Sequence, residues 1–301
     1  MAVKRNRWLI GGVLMVALAA FIAISLLPLL GTSSDRENSN YSASTAQTPE
    51  NAQAAQQEEL ETRANGYALV LEREPDNQTA LRGLVEARIQ LGDLTGVIEP
   101  LARLAELNPG VPDYAVLLGQ TKQQTGDLEG AAQAYRTVLD TNPGNMNALQ
   151  GLVALMMTQE RPQAAIGLLQ DTLATAAQAN QVQPNSIDTT SVQLLLGQVY
   201  VEEARYDEAL ALYDQAITSR PDDFRPLLAK ALVLRDQGQT EAAEPLFANA
   251  IALAPDQYKD QIEQLAQGQS APAAPQPESV APEPPTSSPE NTEPSDAEDT
   301  E

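Results

Sequence analysis

The chain has 301 residues, neither histidine nor cysteine, and a formal charge of −23 from 41 acidic and 18 basic side chains. Without those two residue types there can be no Cys/His zinc site, no His-ligated haem, no Ser-His-Asp or Cys-His triad and no disulfide. Acid in this excess repels phosphate backbones and anionic headgroups, which excludes nucleic acid as a partner.

The elements begin with a basic stretch, residues 1–7, carrying Lys4, Arg5 and Arg7. Residues 8–30, from Trp8 to Leu30, contain no charge. At about 1.5 Å per residue they make roughly 34 Å of helix, enough to cross a bilayer core. The run is longer than the apolar region of a cleavable signal peptide, and no A-x-A site follows at Leu29-Leu30-Gly31-Thr32, so an uncleaved transmembrane anchor is predicted. The basic residues ahead of it place the N-terminus in the cytoplasm and the rest on the periplasmic or lumenal side. Residues 31–48, rich in Ser, Thr, Asn and Gln, read as a flexible linker. From 49 to 77 the pattern turns helix-compatible, with apolar Leu60, Tyr67 and Leu71, and predicts a capping helix or half-repeat.

Regular punctuation follows. Pro75, Pro109 and Pro143 lie 34 residues apart, as do Pro221 and Pro255 after an offset. A small column runs Val97, Ala131, Ala165, Ala209, Ala243, and a large apolar column four positions on runs Leu101, Tyr135, Leu169, Tyr213, Phe247. A third runs Leu104, Val138, Thr172, Ala216, Ala250, and upstream stand Leu84, Leu118, Leu152, Leu196 and Lys230. Gly119 and Gly197 follow two of those positions, Tyr200 comes three residues after the second, and Gly92, Gly126 and Gly238 mark turns between paired helices. Small residues let two helices approach, the large one fills the gap between pairs, and proline ends the second helix of each pair. These columns are assigned to structure, and Tyr200 and Tyr213 to no catalytic role. The unit before Leu196 departs most: Met156 occupies its tyrosine column, it has no closing proline, and about ten extra residues, with a loop expected over 181–189, put Thr190 where Asn180 is due.

The pattern resembles the tetratricopeptide-repeat (TPR) family, most closely over Leu196-Gly197, Tyr200, Ala209, Tyr213, Ala216 and Pro221, and the resemblance covers residues 78–256 as five units. It implies an all-α, right-handed superhelical solenoid of about five helix pairs, with units starting near 78, 112, 146, 190 and 224, behind one N-terminal transmembrane helix. A C-terminal capping helix is expected over 257–267 of a 78–267 solenoid. Residues 268–301, with prolines and acids and no Lys or Arg, read as a disordered tail.

The resemblance also implies a concave groove, lined by the first helix of each pair, that takes protein partners. Inward-facing offsets select Arg82, Glu86 and Gln90, then Asp113, Gln120 and Gln124, then Asn147, Gln150 and Met157. The last two units give Leu194, Gln198 and Glu202, then Arg225, Leu228 and Arg235. Family members that grip chaperone carboxylate tails use a Lys/Asn/Arg clamp. Its positions here read Arg82 and Glu86, Leu117, Asn147 and Gly151, so that mode is not implied. No catalytic, cofactor-binding or metal-binding residue is assigned, and the chain is expected not to be an enzyme. The layout resembles membrane-anchored TPR proteins of cyanobacteria and plastids, including one that binds the light-dependent protochlorophyllide reductase. It implies a single-pass protein of a cyanobacterial thylakoid or plasma membrane, scaffolding assembly or biogenesis there. A bacterial envelope protein serving cytochrome maturation, pili or cell-wall machinery is the alternative; a passive spacer or an unrecognised hydrolase ranks below both.

Overall fold

The computed structural model describes residues 49–268. The predicted anchor (8–30), the linker (31–48) and nearly all of the acidic tail lie outside the described residues. Among the described residues there are twelve α-helices and no strand, and no helix is long and apolar enough to cross a membrane.

Helix α1 (Pro49–Leu71) precedes five pairs: α2 (Gln78–Gln90) with α3 (Leu94–Leu107), α4 (Pro112–Gln124) with α5 (Leu128–Thr141), α6 (Met146–Thr158) with α7 (Pro162–Val182), α8 (Thr189–Glu202) with α9 (Tyr206–Ser219), and α10 (Phe224–Asp236) with α11 (Thr240–Leu253). Helix α12 (Asp256–Ala266) packs on α11. Each of α3, α5, α9 and α11 stops two residues before Pro109, Pro143, Pro221 or Pro255, because proline can neither donate its amide to the ladder nor leave its predecessor helical. Asn77, Asp93, Asp127 and Asn145 open α2, α3, α5 and α6 by accepting the N–H of the residue three positions on, at 2.9–3.0 Å.

The turn inside every pair needs one left-handed residue. Gly92, Gly126 and Gly238 supply it at φ 73°, 88° and 79°. The third and fourth units place Glu160 (φ 57°) and Ala204 (φ 58°) there instead. Between helices, Val97, Ala131, Ala165, Ala209 and Ala243 are buried to 1% exposure or less, and Leu101, Tyr135, Leu169, Tyr213 and Phe247 to 4% or less. Leu118 and Lys230 are only half-buried.

The loop expected over 181–189 is shorter than that. Helix α7 runs on for 21 residues to Val182, and α8 already begins at Thr189. The cause is Ala177, which stands 34 residues after Pro143 and lets the helix continue where proline would have ended it. The chain then folds back tightly. Asn180 Nδ2 donates to the Ile187 carbonyl (2.9 Å), and its Oδ1 accepts from the Ile187 N–H (2.9 Å) and the Ser186 hydroxyl (3.1 Å). Ile187 is 1% exposed within the largest hydrophobic cluster. The Ser186 carbonyl lies so close to Gly144 that a β-carbon there would run into it. The extra residues are a packed plug between the third and fourth units.

Candidate functional site

Among helices not adjacent in sequence, the extensive contacts join first helices: α4 with α6, α6 with α8, and α8 with α10. From α4 to α10 the first helices therefore form a continuous row. Their inner sides are used up by the core; Leu149, Leu152, Val153, Leu155 and Met156 of α6 and Val192, Leu195, Leu196, Val199 and Tyr200 of α8 are all buried. What the described residues leave uncovered on each is one stripe at helical spacing.

That stripe reads Arg82, Glu86, Ile89 and Gln90 on α2; Asp113, Gln120 and Gln124 on α4; Asn147, Gln150, Ala154 and Met157 on α6; Leu194, Gln198, Val201 and Glu202 on α8; and Leu228, Leu232 and Arg235 on α10, every one of them exposed or half-exposed. It is polar at the N-terminal end and increasingly apolar toward the C-terminal end. Ile89, Ala154, Val201 and Leu232 were missed by the offsets chosen from sequence. The signal that finds them is helical spacing carried one turn further, from Gln150 to Ala154 and from Leu228 to Leu232.

The cations near this face are committed inside the fold. Arg225 pairs with Asp223 (2.6 Å) and Asp188 (3.7 Å) and donates to the Ser191 hydroxyl (3.0 Å). Burial opposes ionisation of Asp223, yet its bonds to Arg225 hold the carboxyl below the usual carboxylate range. Arg235 donates to the Leu265 carbonyl, pairs with Asp236 (3.2 Å) and lies 5.7 Å from the Phe247 ring centre, so it fastens α12 in place. Lys122 pairs with Asp127 (3.3 Å) and Lys230 with Asp214. Arg82 donates to the Gln78 carbonyl of its own helix (3.2 Å) and meets no carboxylate among the described residues.

The carboxylates are less committed. Glu86 accepts only from Gln90 (3.3 Å) and Glu202 only from Gln198 (3.4 Å), and neither has a cation within ion-pair distance among the described residues. Desolvation first, and the neighbouring Glu203 charge next, push the Glu202 carboxyl above its ordinary value, against the Gln198 bond. Two open hollows among the described residues involve α8, α9, α10 and α11. One, of about 420 Å³, is lined by Gln193, Asp214, Gln215, Thr218 and Ser219; the other, of about 350 Å³, lies between Arg220, Asp222, Asp223, Phe224, Arg225, Leu253 and Pro255. In the first, the Thr218 and Ser219 hydroxyls donate to the Asp214 and Gln215 carbonyls of their own helix (2.8 Å each), and among the described residues no three acidic side chains converge as a metal ion would require.

Comparison with known proteins agrees with the paired helices. Two family models described as tetratricopeptide repeat match residues 123–184 and 194–258. The chain is 28% identical over 160 residues to cellulose synthase operon protein C of Pseudomonas fluorescens (strain SBW25), a match covering 52% of this chain and 12% of that protein. It is 24% identical over 190 residues to the chloroplastic protein SLOW GREEN 1 of Arabidopsis thaliana, covering 63% of this chain and 59% of that protein. Among solved structures, MamA superposes with a TM-score of 0.40 at 20% identity, over 61% of this chain and 94% of its own.

Proposed function

The chain is a tetratricopeptide-repeat protein, and from that premise we propose that it is a non-catalytic scaffold that holds protein partners along its row of first helices. The observation that carries this is the division of labour between helices. The regularly spaced columns of the second helices are spent on the core, while the first helices from α4 to α10 keep a continuous stripe of half-exposed apolar and amide side chains that no described element covers. Such a surface suits an extended segment or a helix of a folded partner, which supplies the missing apolar contacts and satisfies the amides.

The scaffold is moored to a membrane by residues 8–30, on the strength of their length and lack of charge. Mooring raises the effective concentration for partners in the same membrane and suits a role in assembling or maintaining a membrane complex. Similarity to a chloroplast protein over nearly two thirds of the chain favours a photosynthetic membrane. Similarity to cellulose synthase operon protein C in Pseudomonas and Xanthomonas favours the second reading, a bacterial envelope protein.

Affinity capture of the tagged, membrane-embedded protein after crosslinking, run beside a protease-protection test of topology, separates them. Enrichment of pigment-synthesis or photosystem proteins, protochlorophyllide reductase among them, supports the first reading. That reductase would be met on the cytoplasmic or stromal side, so its capture goes with digestion of the repeats from that side. Enrichment of envelope enzymes with the repeats on the periplasmic side supports the second. Capture of nothing above background overturns the scaffold role.

A further inference from the structure

The first-helix row differs along its length in a way that specifies an occupant. Resting on the reading of this face as the binding surface, we infer that it takes an amphipathic, basic segment of another protein, with the segment's apolar side on α6, α8 and α10 and its Lys or Arg side chains toward Glu202.

The apolar part comes from Met157, Leu194, Val201, Leu228 and Leu232, all half-buried on three successive helices that touch one another. Each packs one side against the hydrophobic core and leaves the other in water. Covering them recovers roughly 25 cal/mol per Å² of apolar surface removed from solvent, so a partner with an apolar face gains more here than at the polar α2–α4 end.

The charged part follows from which groups already have partners. Arg225, Arg235, Lys122 and Lys230 are each held by a carboxylate or a carbonyl of the fold. Glu202 and Glu86 have amide neighbours and no cation within ion-pair distance among the described residues. Glu202 also holds its proton more tightly than an ordinary glutamate because it is partly desolvated beside Glu203. A carboxylate in that setting is stabilised by an incoming cation and destabilised by an incoming anion. Arg82, at the far end, sits one turn from Glu86 and leaves that balance unchanged in the apolar half.

The same charges speak against occupants from within this protein. Residues 269–301 contain eight acidic side chains and no Lys or Arg. A second copy would bring a part that, beyond the three basic residues ahead of position 8, carries 41 acidic and 15 basic side chains. Both would set like charge against Glu202.

The full chain in nanodiscs can be titrated with a fluorescent peptide of about 18 residues, five turns of helix, bearing Leu on one face and Lys on the other. A counterpart carries Glu in place of Lys. The Lys peptide is expected to bind and to weaken as salt rises. Glu202→Gln should loosen it about two- to fivefold, and Leu194→Ser combined with Val201→Ser about tenfold. Circular dichroism establishes that each variant remains helical, and Glu202→Gln, on an exposed side chain, tests the charge without touching the core. If the Glu peptide binds as tightly, or Glu202→Gln has no effect, the basic occupant is wrong while the binding face stands. If neither peptide binds and a photo-reactive residue in place of Val201 crosslinks to nothing in native membranes, both fall. A crosslink from that position to the chain's own tail or to a second copy overturns the choice of occupant.

Discussion

Tyr135 of α5 lies between two glycines, Gly119 on its own first helix and Gly151 on the next; a β-carbon at Gly119 would stand 2.6 Å from the ring. Tyr67 rests against Gly83 and Tyr213 against Gly197 in the same way. Where the large column holds leucine, the corresponding positions are bigger: Val85 and Leu117 around Leu101, Val153 and Leu195 around Leu169. Ring and glycine, or leucine and branched side chain, are two ways of filling the same gap, as close packing demands. Gly151→Ala should therefore cost about 1–3 kcal/mol by overpacking against the ring. Tyr135→Leu should recover most of that in the double variant. Urea unfolding of all four proteins measures the coupling, and additive losses would mean the ring is not what excludes the methyl group. The turn residues give a prediction of opposite sign. Glu160 and Ala204 hold a left-handed conformation that costs an L-residue about 1–2 kcal/mol relative to glycine's freedom there. Glu160→Gly and Ala204→Gly should each raise the melting temperature, unlike Gly→Ala at 92, 126 or 238, which should lower it.

At the scale of the helix, α7 is where local rules and tertiary packing part company. Its extension past Ala177 exposes Val182 to 84%, yet two residues before that Asn180 closes three hydrogen bonds onto the returning chain. Asn180→Ala leaves the N–H and carbonyl of buried Ile187 without those partners and is expected to cost about 1–3 kcal/mol, with limited proteolysis newly cutting between 183 and 188. Unchanged stability and no new cleavage would mean that Ile187 alone holds the plug. The helix pairs themselves were legible in the sequence, because proline, alanine and glycine act locally and recur at 34 residues. The plug was not, because its fit depends on a Ser186 carbonyl meeting Gly144, a contact no periodicity records. The same holds for the site. Helical spacing located the stripe from Arg82 to Arg235, but not that Arg225 is claimed by Asp188 of the inserted segment, or Arg235 by the Leu265 carbonyl of α12. Those partners come from other elements, and charge alone on a helix does not reveal whether it is free.

Across the described stack the hydrophobic core is unevenly continuous. One cluster runs from Val116 through the plug to Tyr213 and reaches Val233, joining the second, third and fourth units with part of the fifth. The ends rest on smaller clusters: Leu81, Val85, Val97, Leu101, Leu104 and Tyr114 at one side, with Ala64, Leu84 and Ala87 beyond them, and Leu227 through Ile262 at the other. In a linear stack each pair is stabilised only by its neighbours, so opening starts where the least apolar surface is shared. Helix α1 is the extreme case, with Leu60 and Ala64 buried and Leu69 61% exposed. Native-state hydrogen exchange should accordingly show three levels. Amides of α5 to α9 should exchange slowest, through the largest opening; those of α11 and α12 faster; and those of α1 and α2 fastest. The plug adds a specific expectation to this order, since Asn180→Ala should lower protection in α7 and α8 together while leaving α2 and α3 unchanged. Protection that is uniform along the chain, or a loss in α2 from that substitution, would show that the stack opens as one unit and that its neighbouring pairs are coupled more strongly than their shared core allows.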